Sequence, residues 1–169
     1  MVILEGPDCS GKTTLGKQLS EKLGLKYVHP GGKPKTEDER LYKLSEQWLR
    51  AHIKNKPMIH DRVTCISDPI YRKDLMNPLA KAFRDAMMNI PYTFLIYCRP
   101  PDAELAKVLD AKVKAHETEE HLLYVKENWK SIADDYDNTL FDLSHALYDF
   151  TTDQIEPLIK LIKERIWST

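Results

Sequence analysis

Residues 6–13 have the types and the spacing of a loop that binds anions. The run reads G-P-D-C-S-G-K-T and therefore matches the pattern G-x-x-x-x-G-K-[ST] at every fixed position. Glycines let the backbone of such a loop curl until several N–H groups point at one anion, and the following helix adds the positive end of its dipole. Lys12 would neutralise terminal phosphate oxygens and the Thr13 hydroxyl would ligate Mg²⁺, so the expected chemistry is the capture of a phosphate chain.

A second pair of candidate residues lies further along the chain. Asp61 ends a short predicted strand, and Arg62 follows it directly. Ligands of open parallel sheets bind at the carboxyl ends of strands, so both side chains are expected near the phosphate loop. Asp61 would hold Mg²⁺, directly or through water, and the Arg62 guanidinium would bridge two phosphate groups while charge moves between them. A surface ion pair without a role in chemistry is the alternative.

Short β-like runs alternate with longer segments of helical period. Strands are predicted at 1–5, 26–29, 58–61, 92–98 and 145–150, and helices at 12–23, 41–52, 78–88, 122–140 and 155–166. This alternation is typical of an α/β domain built on a parallel sheet. The phosphate loop falls between the first strand and the first helix, which is the context that its pattern requires.

Two segments lack a strong period and are predicted to be mobile loops over the site, the first at 29–39 and the second at about 100–120. The second segment carries basic residues that could contact phosphates as a lid: Lys107, Lys112, Lys114 and His116. Solvated loops or an ordinary charged helix are the alternatives that the sequence leaves open.

Composition excludes several classes of protein. The chain has 169 residues, of which 42% are hydrophobic, and this is enough for one domain with its own core. Its 25 basic and 26 acidic side chains balance, so stable binding to nucleic acid is not favoured. No apolar run approaches the ~18 residues of a membrane span. The three cysteines are far apart in the sequence, and we expect a soluble protein of a reducing cytoplasm.

These motifs resemble those of the thymidylate kinase-like nucleoside and nucleotide kinases. That family joins a phosphate loop of the form E-G-x-D-G-x-G-K-T-T to a later D-R-[YH] motif and a basic lid. Residues 5–14 reproduce the first motif, with Cys9 in place of a glycine, and residues 61–62 reproduce the core of the second. The chain departs from the family where Val63 replaces the usual Tyr or His and where Ser67 follows the aspartate by six positions instead of five. The lid arginine of the family is also missing.

The resemblance implies a three-layer P-loop kinase fold, in which helices flank a parallel sheet of about five strands, and a single domain over residues 1–169 with a lid at about 100–120. It also implies that Asp8 faces the sugar of an acceptor, whereas the residues alone leave a turn-forming aspartate as the alternative. The implied catalytic residues are Asp8, Lys12, Asp61 and Arg62. The implied contacts to the phosphates of ATP are Gly6, Asp8, Cys9, Ser10, Gly11, Lys12, Thr13 and Thr14. The implied contacts to the acceptor are Asp8, Arg62 and Ser67. By their residue types, Tyr71, Arg72 and Arg84 could stack on or hydrogen-bond its base, and a place in the core or on the surface is the alternative.

The resemblance implies an enzyme that moves the γ-phosphoryl group of ATP, with Mg²⁺ bound by Thr13 and Asp61, to a nucleotide acceptor. The first candidate for the acceptor is a deoxynucleoside monophosphate, such as thymidylate or a modified pyrimidine. Related kinases are often dimers, so a homodimer is one expected state. The alternatives are a deoxynucleoside kinase, a kinase of a hydroxymethylated base in DNA, and an ATP-binding module that drives a conformational change or partner binding.

Overall fold

Strands and helices alternate along the part of the chain that the computed structural model describes, which is residues 1–29, 31, 34–53, 57–73, 77–115 and 120–167. In chain order the elements are β1 (Val2–Glu5), α1 (Lys12–Leu23), β2 (Lys26–Val28), α2 (Glu37–Ala51), β3 (Met58–Asp61), α3 (Thr64–Arg72), α4 (Pro78–Met88), β4 (Phe94–Cys98), α5 (Asp102–Ala115), α6 (Glu120–Leu140), β5 (Ala146–Tyr148) and α7 (Ile155–Trp167). The described residues thus contain five strands and seven helices, and the predicted α/β class is confirmed.

The strands form one sheet in the order β2-β3-β1-β4-β5, and every neighbouring pair is parallel. β1 is central, because Val2 pairs with Ile59 of β3 on one side and with Phe94 of β4 on the other. The connections that leave β1 and β3 therefore begin side by side at the same edge of the sheet. A change of strand order of this kind is where open α/β sheets hold their ligands.

Helices cover both faces of the sheet. Successive residues of a strand point to opposite faces, and the two sides of β1 accordingly belong to different cores. Val2 and Leu4 pack with residues of α1 and α7, whereas Ile3 packs with residues of α2 to α6. The predicted three-layer arrangement is therefore confirmed. Among the described residues, no helix combines the length and the apolarity that a bilayer crossing requires.

The segment after β4 differs from the irregular loop expected at about 100–120. Residues 102–115 form α5, whose buried positions Leu105, Leu109 and Val113 are spaced by four and lie on one stripe. The stripe is narrow and the rest of the helix is mostly charged or small, which is why the period is hard to see in the sequence. The expectation of a mobile loop is wrong for these residues, and their role as a lid stays a prediction.

A short helix that the sequence did not predict follows β3. α3 contains Pro69, which lacks the N–H group for a helical hydrogen bond and hides the helical character of the segment. The helix nevertheless buries Ile66 and Ile70 in the core that it shares with α2, α4 and α6. This packing places one end of α3 beside the phosphate loop.

Candidate active site

The phosphate loop leaves β1 in a conformation that its glycines make possible. Gly6 has a φ of 141°, and a Cβ atom at this position would lie 2.3 Å from the carbonyl oxygen of Cys98. Gly11, directly before α1, has a φ of 85°. Between them Cys9 has a φ of 67°, a left-handed value that costs an L residue about 1–2 kcal/mol. The loop therefore closes tightly at the start of α1.

Lys12 lies within this loop, with 6% of its surface exposed. Its Nζ donates hydrogen bonds to the carbonyl oxygens of Gly6 at 2.8 Å and Pro7 at 2.5 Å, and to the hydroxyl of Ser10 at 3.1 Å. Burial, followed by the nearby charge of Arg62, lowers the pKa of Lys12 to about 8. The ammonium group therefore remains mostly protonated at neutral pH and supplies a positive charge at the loop.

Thr13 and Asp61, the predicted ligands of a magnesium ion, are in contact. The Thr13 hydroxyl donates to Oδ2 of Asp61 at 2.9 Å, and the Tyr27 hydroxyl donates to the same oxygen at 2.5 Å. Oxygen atoms are the ligands that Mg²⁺ prefers, and the ion usually keeps water and substrate phosphates in its shell. Among the described residues no group of three His, Cys, Asp or Glu side chains could hold a metal. The pair therefore fits a magnesium ion that is bound chiefly through a nucleotide.

Tyr27, which lies in β2, is a residue of the site that the sequence did not predict. Its ring packs so closely on α1 that a Cβ atom at Gly16 would lie 2.3 Å from it. The one signal in the sequence is this glycine, because glycine inside a helix costs about 1 kcal/mol relative to alanine and calls for a packing reason.

Asp8 is held by residues from three other parts of the chain. Nη2 of Arg62 lies 2.8 Å from Oδ1 of Asp8, and the Tyr71 hydroxyl of α3 donates to Oδ2 at 2.7 Å. His121, at the start of α6, lies 3.5 Å from Oδ2. Burial alone would raise the pKa of Asp8, but Arg62, His121 and further neighbours hold it well below its usual range. Asp8 is therefore a carboxylate at neutral pH.

One cavity of about 830 Å³, here called the loop cavity, extends from the phosphate loop to α3 and α5. Of the predicted site residues, it is lined by Asp8, Cys9, Ser10, Gly11, Lys12, Thr13, Thr14, Asp61, Arg62, Ser67, Tyr71 and Lys112. Residues without a predicted ligand contact complete the lining: His29, Gly31, Pro34, Lys43, Thr64, Asp68, Val108 and His121. The size is ordinary for a ligand site, at roughly 300–1,000 Å³. The structure thus brings residues predicted to bind a donor and residues predicted to bind an acceptor into one cavity.

The remaining two acceptor candidates lie outside this lining. Nε of Arg72 lies 3.0 Å from Asp68, and Nη2 of Arg72 donates to the carbonyl oxygen of Pro34 at 2.9 Å. Arg72 therefore ties the segment before α2 to α3. Arg84 pairs with Asp85 of its own helix at 3.2 Å. Both arginines therefore have protein partners, and their contact with an acceptor stays a prediction.

The predicted lid residues have different surroundings. Lys112 lines the loop cavity, whereas Lys107 lies 3.5 Å from Glu104 on the same helix and Lys114 is exposed. His116 lies outside the described residues. Lys112 is therefore the predicted lid residue that the described structure places beside the phosphate loop.

The fold is that of the P-loop kinases. The structure is similar to that of the YorR protein from Bacillus subtilis in complex with phosphorylated GDP, with a TM-score of 0.67 and 19% identity, covering 95% of this chain and 92% of that one. It is also similar to deoxyadenosine kinase from M. mycoides with bound dCTP, with a TM-score of 0.59 and 22% identity over 100% of both chains. Shikimate kinase from Acinetobacter baumannii in complex with shikimate has a TM-score of 0.60 and 17% identity, over 99% of this chain and 92% of that one. At such identities the likeness defines the fold alone, and the thymidylate kinase-like resemblance stays a prediction.

No protein-family model matches the chain. In sequence it is similar to a Lon protease from Koribacter versatilis (strain Ellin345), with 24% identity over 168 residues, or 98% of this chain. The chain spans 17% of the length of that protease. The similarity therefore concerns one segment of a much longer protein.

Proposed function

We propose that the chain is an ATP-dependent phosphotransferase that acts on a nucleotide or nucleoside, with a deoxynucleoside monophosphate as the first candidate acceptor. The observation that carries the proposal is the composition of the loop cavity, in which the phosphate loop and the Thr13–Asp61 pair share one space with Ser67 and Tyr71 of α3. An ATPase needs only the first group of residues. A kinase must hold two substrates in line, and the second group supplies a compartment for the acceptor.

The donor would place its phosphate chain in the phosphate loop. Lys12 lies at the centre of the loop and would pair with the terminal phosphate oxygens, in exchange for the carbonyl oxygens of Gly6 and Pro7. Thr13 and Asp61 would hold Mg²⁺, which supplies charge neutralisation between the β- and γ-phosphates when it is bound. No side chain has to act as a nucleophile, because the acceptor oxygen attacks the phosphorus directly.

Arg62 and Asp8 would act on the acceptor side of the transfer. Nη2 of Arg62 lies 2.8 Å from Asp8 and 3.5 Å from the carbonyl oxygen of Gly6, so the guanidinium borders the place where the terminal phosphate would lie. A cation there stabilises the charge that develops during transfer. The ionised Asp8 would accept a hydrogen bond from a sugar hydroxyl, which orients the acceptor.

A deoxynucleoside kinase is the second candidate, because two carboxylates near α3 offer hydrogen-bond acceptors for the hydroxyl groups of a nucleoside. Asp8 and Asp68 both line the loop cavity. Asp8 lies 2.8 Å from Arg62, and Asp68 lies 2.8 Å from Arg40 and 3.0 Å from Arg72. Lys43 and Lys112 also line the cavity and supply the positive charge that the phosphate of a monophosphate needs, so both candidates remain in the acceptor panel.

An assay of ADP release tests the proposal. The protein is incubated with ATP, Mg²⁺ and, in turn, each of a panel of nucleosides, nucleoside monophosphates and duplex DNA with a hydroxymethylated base. We expect ADP release that depends on a nucleotide or nucleoside acceptor, and the panel separates monophosphates from nucleosides. ADP release that no acceptor accelerates would instead support the ATP-binding module. Lys12→Ala should lower turnover by on the order of 10²–10³-fold, whereas Lys17→Ala, on the exposed side of the same helix, should leave it unchanged.

A further inference from the structure

The backbone turn at Arg62 is held by two hydrogen bonds that residues of β1 accept. Arg62 has a φ of 73°, a left-handed value that is unfavourable for an L residue. Its N–H donates to the carbonyl oxygen of Leu4 at 2.8 Å, and the N–H of Val63 donates to Oε1 of Glu5 at 2.6 Å. The side chain of Glu5 thus accepts the next backbone N–H group after the last one that the backbone of β1 accepts.

The left-handed turn determines where the guanidinium of Arg62 lies. Nη2 is 2.8 Å from the Asp8 carboxylate and 2.8 Å from the Tyr71 hydroxyl, and the guanidinium carbon lies 4.9 Å from the centre of the Tyr71 ring. The direction of a Cα–Cβ bond follows the backbone, so a change of φ to a negative value would swing the side chain away from these partners. In a positioning mechanism, a displacement of about 1 Å can lower the rate ~10²-fold.

Glu5 is a fully buried acid, with 0% of its surface exposed. Its Oε2 and the Nε of Arg62 are buried atoms without a hydrogen-bond partner in the described part of the chain, as is the hydroxyl of Tyr136. Burial raises the pKa of Glu5 to about 7, and the Val63 N–H, Arg62 and Lys12 oppose this shift, while Asp61 adds to it. A buried carboxyl group destabilises the folded state unless hydrogen bonds or a paired charge compensate for the loss of water. Packing alone does not account for an acid at this position.

We infer that Glu5 is a positioning residue for Arg62, because its carboxyl oxygen holds the Val63 N–H and with it the left-handed turn that aims the guanidinium at Asp8 and at the transferring phosphate. The kinetic consequence rests on the proposed function, whereas the structural consequence does not. Oε1 of Gln47 offers a matched comparison, because it accepts the next N–H along the chain, that of Thr64, at 2.8 Å. Gln47 is also buried, but it supports the start of α3 one residue beyond the turn.

Two conservative variants separate the hydrogen bond from the charge. Glu5→Gln keeps an oxygen within reach of the Val63 N–H and removes the charge, whereas Glu5→Asp keeps the charge and withdraws the oxygen. We expect Glu5→Asp to lower kcat by roughly 10–100-fold with little change in KM for ATP, and Glu5→Gln to lower it by less than about threefold. Gln47→Met should lower stability without lowering kcat. Equal losses for Glu5→Asp and Glu5→Gln, or for Glu5→Asp and Gln47→Met, would overturn the inference.

A double-mutant cycle tests whether Glu5 acts through Arg62. In an Arg62→Met background, Glu5→Asp should lower kcat by less than about twofold further, because the side chain that it positions is gone. An equal factor in both backgrounds would mean that Glu5 acts independently of Arg62.

An NMR measurement that does not depend on catalysis tests the role of Glu5 separately from the proposed function. In ¹⁵N-labelled protein, the Nε–H signal of Arg62, assigned by its loss in Arg62→Met, should be sharp in the wild type and in Gln47→Met. It should broaden or shift in Glu5→Asp. A wild-type protein that transfers no phosphoryl group to any acceptor would refute the proposed function, and an Arg62 signal that is unchanged in Glu5→Asp would refute the role of Glu5.

Discussion

Replacement of Gly16 by alanine should destabilise this protein, although the same change stabilises most helices. Gly16 lies inside α1, where alanine is favoured over glycine by about 1 kcal/mol. A Cβ atom at this position would lie 2.3 Å from Cε2 of Tyr27 and 3.0 Å from Cδ1 of Leu4. Carbon atoms in contact are separated by ~3.5 Å or more, so the tyrosine ring must move by roughly 1 Å.

The displacement of the ring has two consequences for stability. Overpacking of a core costs about 1–3 kcal/mol. The displaced Tyr27 also loses its hydrogen bond to the Asp61 carboxylate, now 2.5 Å long, and hydrogen bonds to charged groups contribute about 1.5–3 kcal/mol. After subtraction of the gain in helix propensity, the free energy of unfolding should fall by about 1.5–5 kcal/mol.

Urea unfolding followed by circular dichroism measures this change. A Tyr27→Leu background is the matched control, because the smaller side chain leaves room for the new methyl group. Gly16→Ala should there be neutral or stabilising by about 1 kcal/mol. An increase in stability in the wild-type background, or an equal loss in both backgrounds, would refute the close packing of Tyr27 on α1.

Three further predictions concern the site. Thr13→Val should raise the concentration of Mg²⁺ that half-saturates turnover by about tenfold, and an unchanged Mg²⁺ titration would remove Thr13 as a ligand. Asp8→Asn should raise KM for the acceptor more than KM for ATP, as steady-state kinetics with both substrates varied would show, and equal effects on the two constants would contradict the assignment. Burial raises the pKa of Glu5 from 4.5 to about 7, so the stability that its protonated form contributes is fully present below pH 4.5 and is lost as the pH rises through 7, by about 3 kcal/mol. Burial lowers the pKa of His60 and of the Met1 amino group, which acts in the opposite direction. Urea unfolding at pH 5 and pH 8 should therefore be compared between the wild type and Glu5→Gln: the change from pH 5 to pH 8 should be less favourable in the wild type, and identical pH dependence would exclude the shift.

The sequence by itself determined the phosphate loop and the class of the fold. All the groups that form the loop lie within residues 6–13, and its glycines stand where the backbone has a positive φ, so the geometry is local. The long helices α1 and α6 and the central strands follow from the period of their apolar residues in the same way. Asp61 could be expected near the loop because parallel strands end at one edge of the sheet.

Only the tertiary structure decided which side chains complete the site. The hydrogen bond from Tyr71 to Asp8 joins residues 63 positions apart, and that from Tyr27 to Asp61 joins residues 34 positions apart. These contacts depend on the register of β2 against β3 and on the packing of α3, which no local pattern encodes. The same packing places the carbonyl oxygen of Pro34 beside Arg72, 38 positions away in the sequence. The conformation of the phosphate loop is set by its own residues, whereas the left-handed turn at Arg62 and the partners of polar side chains are set by distant elements that the core brings beside them.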